Sequence, residues 1–474
     1  MRSKRFDTLG WVAVIALFAG SGCLDENVVY DDSRFPSLPG GAASFLGYSD
    51  RASKRTICGN CHVGQQADWA ETAHAGAWET LQQSGHAQPL CENCHSVTSL
   101  GNVQTEPGGF ETTGDARYHG VQCESCHGPG LEHVENPDAT QPFAPLAVGT
   151  ALTTGCGECH SGVHHPFLDE WAQSGHGQVR ASAADRAECQ ACHTGENALL
   201  TWGVRADYVE KVQVVEGQDH LPITCGVCHD PHERANPAQL RFPIDVPSEE
   251  ENLCMKCHHK RGQPDPTTFR GPHSPEGPVL LGYAGWFPPS FEFTGGEIVA
   301  SHGSDRNPRL CAGCHVNSFT VTDPATGDFQ FQATGHLFEA IPCLDASGFP
   351  TPGDCDIGVR TFVSCVDAAC HASETDARDD LVRVEARIAE LVEDLDALLA
   401  QVPEDEFDEM DPRYTTAEGS RFNLELAEYP GSAIHNPFLI ESLLLASIEQ
   451  VETDYGLASS SRASREPLLG RPGR

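Results

Sequence analysis

Eight times the chain repeats Cys-x-x-Cys-His, starting at Cys58, Cys91, Cys123, Cys156, Cys189, Cys225, Cys254 and Cys311. The second cysteines are Cys61, Cys94, Cys126, Cys159, Cys192, Cys228, Cys257 and Cys314, and the histidines are His62, His95, His127, His160, His193, His229, His258 and His315. Two thiols at this separation can each add across one vinyl group of a haem, and the histidine that follows then lies beneath the iron. Zinc sites would not require the histidine every time, and disulfides would not repeat this spacing. A ninth site is a variant: Cys365-Val-Asp-Ala-Ala-Cys370-His371 has four residues between its cysteines. Cys355 is a rival to Cys365 in a larger looped site; either way His371 is the proximal ligand. The expected cofactor set is nine haem c, eight on Cys-x-x-Cys-His and one on Cys-x4-Cys-His. Of 21 cysteines, Cys23, Cys343 and Cys355 then remain, and a Cys343–Cys355 disulfide is the default in an oxidising compartment.

The N-terminus sets that compartment. Arg2, Lys4 and Arg5 precede an apolar run from Leu9 to Ala19 and then Cys23, the layout of a secretory signal, too short and wrongly flanked for a spanning helix. Gly20-Ser21-Gly22-Cys23 resembles a bacterial lipoprotein cleavage site, with Cys23 as the lipid anchor and Gly20 where a leucine is usual. The expected location is outside the cytoplasm: periplasm, outer membrane as a lipoprotein, or cell surface. With 68 Asp and Glu against 30 Lys and Arg, the net charge is -38, which disfavours nucleic-acid partners. Only 39% of residues are hydrophobic, while Gly and Pro number 46 and 32. Such a chain is poor in the material for one large apolar core.

The sites fall into repeats. Trp69-Ala-Glu-Thr-Ala-His74 follows the first site, and Trp171-Ala-Gln-Ser-Gly-His176 follows the fourth. A third relative, Phe331-Gln-Ala-Thr-Gly-His336, follows Cys311. His119 and His220 precede the third and sixth sites, while His133 and His232 come just after them. These matched positions make His74, His176, His336, His119, His220, His133 and His232 candidate distal ligands, with His86, His164, His165 and His259 weaker ones. In this order the motifs, with Gly-Val-Gln-Cys-Glu-Ser-Cys-His-Gly-Pro-Gly ending the first set, resemble the tetrahaem cytochrome of nitrifying bacteria, related to hydroxylamine oxidoreductase and pentahaem nitrite reductase. Arg270-Gly-Pro-His273-Ser-Pro-Glu-Gly resembles stretches of extracellular electron-transfer cytochromes. The resemblance spans residues 57 to 455, implies haems stacked closely enough for electron hopping, and adds His273, His302 and His435 as distal candidates. Ten candidates for nine irons mean at least one too many.

After the last site, Leu381, Val384, Ile388, Leu391, Leu395, Leu398 and Val402 form one stripe of an amphipathic helix with an acidic opposite face. A second helix starts with Asn436 as cap and Pro437 in its first turn, with Ile440, Leu444, Ile448 and Val451 as its stripe. The expected fold is mainly α with large irregular content, a multihaem cytochrome c fold organised around stacked haems and ending in a helical hairpin. The boundaries read as a lipoprotein-type signal peptide (1–22), a linker (23–56), tri-haem modules (57–150 and 151–250), a tri-haem region (251–373), an acidic helical hairpin (374–456) and a disordered tail (457–474).

Three function classes fit. The first is an exported carrier that passes electrons along mostly bis-histidine haems to redox proteins or an external acceptor, in anaerobic or extracellular respiration. The second is an oxidoreductase acting on nitrite, hydroxylamine or a sulfur oxyanion, which needs one iron with an open position and nearby proton-handling groups. No attachment site here replaces its histidine by lysine, as pentahaem nitrite reductases do, and no tyrosine is singled out by a motif. The third is a homo-oligomer or cytochrome filament. Spare histidines outnumber irons, so every iron can be six-coordinate, and the carrier reading is preferred with no catalytic residue assigned.

Overall fold

Abundant glycine and proline work against long regular elements, because glycine loses the most backbone freedom on folding and proline removes a donor. Among the described residues no helix before residue 374 is longer than seven residues. The strands there form three separate two-stranded antiparallel sheets, the longest pairing Phe319–Thr322 with Phe329–Ala333. The computed structural model describes residues 44–102, 104–142, 155–204, 220–267, 270–323, 325–367, 370–408, 413–458 and 464–469, all within the compact unit Gly40–Arg474. The signal segment and Cys23 lie outside them. The chain is mainly helical with a large irregular fraction, as its composition requires.

The first two modules are built alike. Trp69 Nε1 donates to the Val121 carbonyl at 2.9 Å, and Trp171 Nε1 to the Ile223 carbonyl at 2.8 Å. Val121 N–H donates to the His74 carbonyl at 3.0 Å, and Ile223 N–H to that of His176 at 3.1 Å. Each tryptophan therefore ties the segment carrying one histidine to the residues just before the third attachment site of its set. The third relative is built differently. Phe331 lies in the strand Phe329–Ala333, and the Glu170 carboxylate accepts from Thr334 N–H, Thr334 Oγ1 and His336 N–H at 2.7–2.9 Å. The end of the expected linker belongs to the first module: Phe45 and Leu46 are buried, and the Glu124 carboxylate accepts from Leu46, Gly47 and Gly130 N–H at 2.8–2.9 Å.

Apolar side chains in the attachment region pack mostly as small clusters, such as Phe45, Val97 and Tyr118 or Leu168 and Trp171. The largest core among the described residues gathers the C-terminal helices, with Val279, Ala284 and Ile298 joining them. The long helix Glu374–Leu399, capped by Ser373, buries Ile388, Leu391, Leu395 and Leu398 against the last helix, Pro437–Tyr455. The expected hairpin gains a third member, Thr416–Glu428, opened by a capping box of Thr415 and Glu418. Its buried face is partly small and polar: Gly419 lies against the Trp286 ring, where a Cβ would come within 2.2 Å, and Asn423 bonds Trp286 N and O and Ser447 Oγ. That is why no apolar stripe announced it. Residues 464–469, expected to be disordered, instead lie across the helices. Arg387 donates to the Ser464 and Glu466 carbonyls, and Glu441 accepts from Leu468 and Leu469 N–H.

Candidate haem sites

On a helical turn, positions i, i+3 and i+4 share a face. The attachment motifs use that geometry: Cys123–His127 and Cys311–His315 are single helical turns. The motif histidine donates its N–H to the first cysteine's carbonyl at His62, His160, His229 and His258, at 2.8–3.1 Å. Both thiols and the imidazole are thereby presented together. At the variant site His371 N–H reaches back six residues to the Cys365 carbonyl at 3.2 Å, so the wider loop closes on the same contact. Cys343 and Cys355 form a disulfide, and none of the eighteen motif cysteines does. Cys355 is thus engaged with Cys343 in this structure. Among the described residues no three His, Cys, Asp or Glu converge as a bare metal ion would require.

An iron held between two imidazoles by bonds of about 2 Å, each ring centre roughly 1 Å behind its nitrogen, separates the ring centres by roughly 6 Å. Setting aside His160 with His165, whose 6.4 Å spacing shares His160 with a closer partner, eight histidine pairs among the described residues stand at that separation. They are His62 with His133 (6.2 Å), His74 with His160 (6.1 Å), His127 with His232 (6.0 Å) and His176 with His258 (6.2 Å). The others are His193 with His273 (6.1 Å), His229 with His336 (6.4 Å), His302 with His371 (6.5 Å) and His315 with His435 (6.2 Å). Each pair joins a motif histidine to one outside the motifs. Of the motif histidines only His95 lacks such a ring partner in this set. His165 is near it: the pKa of His165 is lowered by burial and then by the charge of His95, although His165 also lies edge-on to His160 at 6.4 Å.

Two candidates are placed otherwise. His119 stacks on Trp78 with centroids 3.6 Å apart, and Arg51 donates to its Nδ1 at 3.1 Å. His220 contacts Glu196 through Nδ1 at 2.9 Å. Of the weaker candidates, His164 stacks on Phe329 and His259 bonds the Met255 carbonyl. His165 had little support from sequence because it falls in no repeat.

Nδ1 contacts orient the rings. His95, His229 and His315 direct Nδ1 to the carbonyls of Ala77, Ala238 and Phe338 at 2.8–2.9 Å, and His133 and His302 to those of Thr140 and Ile434 at 2.7 Å. Donation from Nδ1 leaves Nε2 as the free ligand nitrogen. Burial lowers the pKa of His160, His176, His336 and His435 to about 4, so these rings are neutral at pH 7, the metal-binding state.

Thiols of different motifs also meet. Cys58 and Cys123, Cys94 and Cys159, Cys156 and Cys225, Cys192 and Cys257, and Cys254 and Cys311 lie beside one another. Cys126 and Cys156, Cys228 and Cys257, and Cys314 with Cys365 and Cys370 are close enough to feel one another's charge. Read in order, these contacts string the motifs at Cys58, Cys123, Cys156, Cys225, Cys254, Cys311 and Cys365 into one line. The Cys91 motif touches it at Cys159, and the Cys189 motif at Cys257.

The profile of the family described as cytochrome c554 and c-prime matches residues 57–128, and that of the doubled CXXCH motif matches 214–263. The C-type polyheme cytochrome OmcB of Geobacter sulfurreducens is 26% identical over 310 residues, covering 54% of this chain and 38% of the relative. The multiheme cytochrome MtrA of Shewanella baltica is 26% identical over 163 residues, covering 30% and 44%. Cytochrome c-554 of Nitrosomonas europaea is 34% identical over 93 residues, covering 16% and 37%. The chain thus spans less than half the length of these relatives. The crystal structure of the outer cell wall cytochrome OcwA superposes with a TM-score of 0.54 at 16% identity, covering 86% of this chain and 100% of that one.

Proposed function

Because the chain belongs to the multihaem c-type cytochromes and binds haem c through its Cys-x-x-Cys-His motifs, we propose that it is an exported nonahaem electron carrier in which two histidines close every iron. The observation that carries this reading is the set of eight facing histidine pairs at 6.0–6.5 Å. In this assignment the distal ligands are His133, His165, His232, His74, His273, His336, His176, His435 and His302, for the nine sites in chain order. His119 and His220 serve the scaffold, and Cys365 with Cys370 hold the ninth haem. Haem iron supplies reversible one-electron chemistry when bound. The chain's part is to fix both axial imidazoles and to set the sites side by side along the line of thiol contacts.

Closed sites favour a carrier over a reductase, since a substrate would have to displace a ligand that the fold holds in place. The secretory-type N-terminus, the anchor candidate Cys23 and the likeness to an outer cell wall cytochrome support a position outside the cytoplasmic membrane, with a role in extracellular respiration. The purified chain is expected to be reduced and reoxidised rapidly by small redox carriers while showing no substantial turnover of nitrite or hydroxylamine. Enzyme-like turnover, lost on mutation around a single high-spin haem, would reverse the assignment to a reductase.

A further inference from the structure

The segment Arg270-Gly-Pro-His273-Ser-Pro-Glu276-Gly serves two sites at once. His273 faces His193, and three residues later Glu276 opens the helix Glu276–Leu280 with Oε2 3.4 Å from Nδ1 of His258. The placement is built into the backbone. Gly277 N–H donates to the His258 carbonyl at 2.9 Å, and a Cβ on Gly277 would come within 2.8 Å of that same oxygen. Oε2 of Glu276 is buried without a well-formed hydrogen bond, and among the described residues no Lys or Arg forms an ion pair with this carboxylate.

Two other ligand histidines have a carboxylate near Nδ1, and both carboxylates are compensated. Asp380 lies 3.5 Å from His371 but is half exposed and paired with Arg383 at 3.0 Å. Asp230 lies 3.7 Å from His232 and is paired with Arg241 at 2.6 Å. Of these three sites, only that of His258 combines burial with an uncompensated negative charge.

We propose that Glu276 is a positioning residue that acts through Nδ1 of His258 to lower the reduction potential of the haem held between His258 and His176. The inference rests on the nonahaem reading. A carboxylate 3.4 Å from Nδ1 polarises the imidazole toward the iron, and its negative charge in a poorly screened interior favours ferric over ferrous iron. The tuned site is a junction: Cys254 meets Cys311, and Cys257 meets Cys192 and lies near Cys228. The carboxylate therefore sets the potential where the side branch from the Cys189 motif joins the line.

The test is a redox titration of the full haem-loaded chain, followed by visible absorption and low-temperature EPR. Glu276→Gln keeps the shape and removes the charge. One one-electron component should shift to higher potential by at least a tenfold change in its equilibrium, about 59 mV, with haem content and low-spin spectrum unchanged. Glu276→Asp should largely retain the parent potential, and Asp380→Asn should shift its own site less than Glu276→Gln does. A Glu276→Gln titration that overlays the parent would overturn the proposal. So would an equal shift in Glu276→Asp, or loss of a haem from Glu276→Gln, either of which assigns the residue to packing. Fewer than nine haems in the parent chain would instead count against the nonahaem reading.

Discussion

His176 faces His258 across 6.2 Å, and its backbone is held independently by Ile223 N–H at its carbonyl and by Ser174 Oγ at its N–H. Replacing it by alanine should therefore remove one ligand without loosening the segment. One haem in nine should turn high-spin and bind carbon monoxide, while His119→Ala and His220→Ala leave every haem low-spin. EPR of the oxidised proteins checks this; an unchanged spectrum for His176→Ala contradicts the pairing. The same residues show what sequence could tell. Attachment cysteines and motif histidines were legible because their chemistry is local and fixed by one helical turn. Distal candidates came from a repeat or from the family resemblance, and a repeat preserves scaffold contacts as readily as ligands. In the proposed assignment His119, stacked on Trp78, and His220, beside Glu196, serve the scaffold at matched positions, whereas the unmatched His165 lies near His95.

Among elements, the last helix links stability to the cofactor sites, because the turn Ser432–His435 just before it carries His435 opposite His315. Arg387 on the long helix and Glu441 on the last helix form a buried pair at 2.8 Å. Arg387→Met leaves a buried carboxylate without its cation, a change that costs about 3–5 kcal/mol, tempered by the Leu468 and Leu469 N–H donors to Glu441. Guanidinium unfolding followed by far-UV circular dichroism should show a loss of at least about 2 kcal/mol. The His315 haem should become reactive to carbon monoxide before the others; a loss below about 0.5 kcal/mol would contradict the role given to the pair. The two outer helices were readable from their leucine and isoleucine stripes. The middle one was not, because Gly419 and Asn423 on its buried face owe their places to Trp286 and Ser447, contacts distant in sequence.

Across the whole molecule the proposed ligand pairs interlock the modules. His74 of the first module faces His160 of the second, His232 of the second faces His127 of the first, and His273 and His336 of the third region face His193 and His229 of the second. Small apolar clusters leave the attachment region to be held largely by these crossings, which is how a chain only 39% hydrophobic can maintain a defined shape. Such crossings are long-range, so the number of sites could be counted from sequence while their order in space could not. The proposed carrier function depends on every one of the nine proposed irons being closed. The most direct measurement is the carbon monoxide difference spectrum of the fully reduced chain, scaled to haem content by pyridine haemochrome against protein mass. Nine haems per chain and no carbon monoxide adduct are the expected result; one equivalent of adduct per chain, or a haem count of eight, would contradict it.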